Sequence, residues 1–161
     1  MIVVTLMGVV YSLAINNFAK LSDEGARVTL KSLKEYLGGL SREREAKLLC
    51  LDDCSECGVY VDGEKTTTLE DFLDDKVEIY RYDFAYGFTK TQPNVHFNED
   101  DVEERVCFSY SVDKNGVGDQ VLARFKDKFY DFSPYLGEVA LYDSLSEANN
   151  ARRELARAVS R

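Results

Sequence analysis

The sequence predicts an α+β fold, in which a long N-terminal helix, hydrophobic in its first half and amphipathic in its second, packs on an antiparallel β-sheet and a short C-terminal helix closes the chain. Three observations predict it. The first proline is Pro93 and glycine is sparse before residue 46, so one continuous helix is sterically allowed there. From about Ala46 to Asp143 apolar residues alternate with polar ones, the period of half-buried strands. After Ser144 the spacing returns to the three-and-four rhythm of a helix face.

The opening run, "MIVVTLMGVVYSLAI", carries no charge from Met1 to Ile15. As a helix it reaches roughly 22 Å, against a bilayer hydrocarbon core of about 30 Å. Beyond it Ala26, Leu30, Leu33, Leu37 and Leu40 recur at spacings of four and three and line one helix face. The Gly38-Gly39 pair weakens the far end, where a break is expected. The predicted division is therefore 1–45 for the helix, whose uncharged first part is 1–15, and 46–161 for a β-rich domain.

In that domain "AKLLCL" (Ala46 to Leu51) and "CGVYV" (Cys57 to Val61) are predicted strands, and "DGE" at Asp62 to Glu64 has turn chemistry. "KVEIYRYDF" (Lys76 to Phe84) puts Val77 and Ile79 on one face and Tyr80, Tyr82 and Phe84 on the other. "VCFSYSV" (Val106 to Val112) alternates in the same way, and "QVLARF", "KFYDF" and "EVALY" continue as a meander. The acidic stretch from Gly87 to Glu104 is expected to be a surface loop. A final helix over 144–160 starts with Ser144 and Glu147 at capping-box spacing and carries Leu145, Ala148, Ala151, Leu155 and Val159 as its stripe.

Charge and composition narrow the function. A net charge of -9 argues against a nucleic-acid or anionic-membrane surface, because phosphate binding draws its affinity from Lys and Arg. With one histidine, His96, and no tryptophan, the chain has little material for imidazole catalysis or a multi-His metal centre. No G-x-S-x-G or phosphate-cradling glycine loop occurs, so no enzyme activity is expected. Cys50, Cys54, Cys57 and Cys107 admit disulfides, a four-thiolate zinc site or free thiols. Asp52, Asp53 and Glu56 would raise thiol pKa values and disfavour a C-x-x-C redox site. Pairing is not readable from spacing; Cys50 with Cys107 plus Cys54 with Cys57 is one of three arrangements. "DKNGVGD" places Asp113, Asn115 and Asp119 around two glycines, which fits either a hairpin turn or a set of calcium-binding oxygens. "NEDDVEE" (Asn98 to Glu104) reads as a solvated acidic loop.

The decamer "MIVVTLMGVV" resembles the N-terminal signature of type IV pilins and type II secretion pseudopilins, in which Phe-Thr-Leu, an aliphatic residue and Glu precede a run of the type "MIVVAIIGIL". Met1 to Val4 and Gly8 fall on the family's Met-Ile-Val-Val and glycine. The resemblance implies about six further mature residues before Met1, which would lengthen the apolar helix to roughly 31 Å and let it span. It also implies a structural subunit of a type II secretion, type IV pilus or competence filament. Ile2, Val3, Leu6, Gly8, Val9 and Leu13 would then pack in a membrane or filament core, with Gly8, Thr5 and Ser12 at close contacts. The implied partners are other pilin or pseudopilin subunits, an inner-membrane assembly platform and a prepilin peptidase, with the globular part in the periplasm or in an extracellular filament. Having no early proline and no cysteine after Cys107, the chain looks more like a minor pseudopilin of the H type than a major pilin. The alternatives are a single-pass anchored periplasmic binding module, calcium-dependent in one version, and a cytosolic zinc-stabilised domain.

Overall fold

Among the described residues alternating apolar residues build ten strands, which form two antiparallel five-stranded sheets. The computed structural model describes residues 28–41, 43–98, 101–135 and 137–159. The first sheet has the order β3-β2-β1-β7-β6, with β1 Glu45–Leu51, β2 Glu56–Val61, β3 Glu64–Glu70, β6 Asn94–Phe97 and β7 Glu103–Asp113. The second has the order β10-β9-β8-β4-β5, with β4 Glu78–Asp83, β5 Gly87–Lys90, β8 Leu122–Phe125, β9 Lys128–Asp131 and β10 Ala140–Tyr142. Two helices accompany them, α1 Leu33–Leu40 and α2 Leu145–Val159.

The class is thus mostly β, which corrects the α+β expectation of a long N-terminal helix on one sheet. Among the described residues helix α1 has only eight residues. Before it, Thr29 and Ser32 bond each other's backbone and side chain, a local alternative to helical pairing that holds residues 29–32 as a turn. After it, Ser41 is extended, and Glu45 is already paired with Asp113. Of the anticipated stripe, Leu30, Leu33 and Leu37 are buried, but Leu30 reaches the core from the turn. Residues 1–27, including the opening run and Ala26, lie outside the described residues.

The main core is legible in the register of the first sheet. Leu48 faces Val59 on one side and Tyr110 on the other, and Ala46 faces Val61 and Val112. These side chains join Leu33 and Leu37 of α1, Ile79 and Ala123 of the second sheet, and Phe132, whose ring centroid lies 4.5 Å from that of Tyr110. Leu122, Tyr80, Phe88 and Phe129 form a second cluster, covered by Ala148 of α2. The second sheet therefore contributes apolar residues to both clusters, as the alternation of Val77 and Ile79 against Tyr80 and Tyr82 requires.

Turn chemistry sets the registers. Asp62 and Gly63 both have positive φ and connect β2 to β3 by a two-residue loop. The Asp62 carboxylate accepts the N–H groups of Arg44 and Glu45, which ties that turn to the start of β1 and holds its pKa below the usual carboxylate value. Ser144 Oγ accepts the Glu147 N–H, which caps α2, while Glu147 Oε2 accepts the N–H of Asp143, one residue before the capping serine. Only the N-terminal part of the expected α2 stripe is covered: Ala148 is fully buried, whereas Leu155 is 55% exposed. The supposed loop from Gly87 to Glu104 contains two edge strands, β5 and β6.

Candidate functional site

The four cysteines converge at one end of the first sheet. Cys50 and Cys57 are direct cross-strand partners and form a disulfide across a Cα–Cα distance of 4.1 Å, the close spacing of a non-hydrogen-bonded pair. Cys54, at positive φ in the link between β1 and β2, bonds to Cys107. From Cys50 to Leu51 the β1 register advances one residue while β7 advances two, from Phe108 to Val106, so Cys107 is the extra residue of a bulge. A bulge re-aims a side chain out of the regular pleat, here toward Cys54. Of the three possible arrangements this is not Cys50–Cys107 with Cys54–Cys57, and it occupies the four sulfurs a zinc site would need. Three of the four cysteines are fully buried and all belong to the main core.

The Asp113–Asp119 segment closes a hairpin. Asp113 Oδ1 accepts the N–H groups of Asn115 and Val117, and Asn115 Nδ2 reaches Asp113 Oδ2. These bonds hold the Asp113 pKa below its usual value. Asp119 Oδ2 instead accepts the N–H and hydroxyl of Ser111, on the neighbouring strand. The three residues anticipated as calcium ligands are therefore engaged in two separate sets of local bonds. Among the described residues no group of three or more His, Cys, Asp or Glu is placed to hold a metal ion. His96 is exposed on β6, opposite Glu104.

Sequence reasoning missed a cleft of about 920 Å³ between the two sheets, lined by Lys76, Arg81, Lys90, Arg105, Arg124 and Lys126. These residues are scattered over fifty positions, and no motif announces them. Glu78 sits among them, accepting from Lys90 at 2.5 Å, from Tyr80 at 2.9 Å and from Arg124 at 3.1 Å. Lys90, then Tyr80, hold the Glu78 carboxyl down at about 2. The same carboxylate raises the pKa values of Lys90 and Arg124, so this triad stays charged across the ordinary pH range. At the mouth Lys126 and Asp127 both have positive φ and turn β8 into β9, with the Lys126 ammonium 4.9 Å from the Phe125 ring centroid.

The proposed anchor residues Ile2, Val3, Leu6, Gly8, Val9 and Leu13 lie outside the described residues. Within the described residues no helix is long and apolar enough to cross a membrane. No protein-family model, curated protein or solved structure matches the chain.

Proposed function

We propose that the chain is a pilin-like structural subunit, of the minor pseudopilin kind, whose residues 1–15 anchor it in a membrane or filament core while its β domain faces the periplasm or the exterior. The observation that carries this reading is the uncharged run "MIVVTLMGVVYSLAI" in a chain whose later β domain is stapled by two disulfides. Such staples belong to oxidising compartments, which a cytosolic domain does not meet. Within a bilayer, apolar helices associate by close packing at small residues, and Thr5, Gly8 and Ser12 supply them. The subunit acts by assembly; its partners are other pilin or pseudopilin subunits and an inner-membrane platform.

The second reading, an anchored periplasmic binding module that stays outside any filament, is favoured by the cation-lined cleft. Fractionation of the host separates the two. The filament reading expects the protein in the membrane fraction, accessible to protease from the periplasmic side, and also in filaments sheared from cells that overproduce the assembly machinery. Membrane-bound protein absent from sheared filaments supports the binding module. Protein recovered only in the soluble cytosolic fraction contradicts both.

A further inference from the structure

We infer that the cleft between the sheets, together with the adjoining edge strand β6, binds an acidic, extended peptide segment of another protein. This holds whichever way the chain is anchored. Six of the chain's 20 Lys and Arg residues line the cleft of a protein whose net charge is -9, so the cleft is a local reversal of the molecule's field. Four carboxylates, Asp74, Asp75, Glu78 and Asp127, also line it, which leaves an excess of two positive charges. Glu78 is held by Lys90 and Arg124, Asp127 pairs with Arg124, and Asp74 accepts the Lys76 N–H to close a turn. Arg81 and Arg105 remain exposed on β4 and β7. Two guanidinium groups suit carboxylates, which they take through paired N–H donors.

The rim argues for a peptide rather than a nucleic acid. Asn94 lines the cleft and begins β6, the last strand of its sheet, which pairs with β7 alone. All four β6 residues are exposed, with Val95 at 53% and Phe97 at 57%. A free edge with exposed apolar side chains accepts an added strand through main-chain bonds, which a phosphodiester backbone does not supply. The neighbouring edge, β5, is less available, because the Phe88 N–H is already bonded to Asn149 of α2. A long polyanion is further opposed by the overall negative charge. The occupant is thus a strand whose acidic residues sit at the Asn94 end of β6, toward the cleft that Arg81 and Arg105 line, and whose apolar residues lie along Val95 and Phe97.

The test is fluorescence anisotropy on the full chain in zwitterionic detergent, with a fluorescein-labelled peptide of four glutamates followed by alternating valine and threonine as probe. Saturable binding that weakens with salt is expected, and R81E/R105E should weaken it about tenfold or more. The charge-matched control K31E/K114E, at exposed residues away from the cleft, should leave binding unchanged. The same peptide methylated on alternate amide nitrogens should bind more weakly, because the strand bonds are lost. The inference is overturned by absence of saturable binding, by R81E/R105E binding as well as wild type, by equal loss in the control, by undiminished binding of the methylated peptide, or by oligothymidylate binding as tightly as the peptide.

Discussion

At the scale of single residues, three side chains carry sharp consequences. The Tyr110 hydroxyl is fully buried with no hydrogen-bond partner among the described residues, and burial followed by the Asp119 charge pushes its pKa up. Removing a group that lacks a partner costs little, so Tyr110→Phe should change stability by less than about 1 kcal/mol in urea unfolding, or raise it. Asn149→Ala should cost about 1–3 kcal/mol, because it strips the acceptor from the Phe88 N–H where α2 meets β5. Glu78 sets a pH dependence. Its folded pKa of about 2 lies below its ordinary 4.5, so its stabilisation is fully present above about pH 4.5 and is lost as pH falls toward 2. Glu78→Gln should flatten the stability-against-pH curve in that window. None of these roles was legible in the sequence. Glu78, Lys90 and Arg124 meet only because β4 lies between β5 and β8, and that order is not written in local spacing.

At the scale of elements, the sequence was informative wherever alternation was long and turn residues were specific. Ala46 to Leu51, Cys57 to Val61 and Val106 to Val112 read as strands because both faces declare themselves, and β1, β2 and β7 contain them. It misled where an edge strand has no buried face. The β6 residues Asn94–Phe97 are all exposed, so no period separates them from a loop. The helical stripe around Leu33 and Leu37 misled differently: both residues are buried as expected, but the Thr29–Ser32 turn and the extended Ser41 confine the helix to eight residues. Leu37→Ala should cost about 2–5 kcal/mol, since the side chain is fully buried against the first sheet. The staple that joins distant elements is Cys54–Cys107, which closes a loop of 53 residues. Its chain-entropy contribution is about 4 kcal/mol. C54A/C107A should therefore lower the denaturation midpoint more than C50A/C57A, whose loop is short.

At the scale of the whole molecule, a disulfide-stapled pair of sheets carries an excess of cations in one cleft of a chain whose net charge is -9. This distribution suits a subunit that meets other proteins rather than a nucleic acid. The opening run remains the strongest signal of how it meets them, because fifteen uncharged residues ahead of a charged domain favour burial among lipid or like helices. Since all four native cysteines are paired, an engineered cysteine is the only free thiol in the chain. The most direct measurement is oxidative cross-linking of Val9→Cys in the native host. A pilin-like subunit predicts covalent adducts with itself or with other pilin-like subunits, and their disappearance when the assembly platform is deleted. A Val9→Cys protein that stays uncross-linked in the presence of the intact machinery would contradict the filament reading.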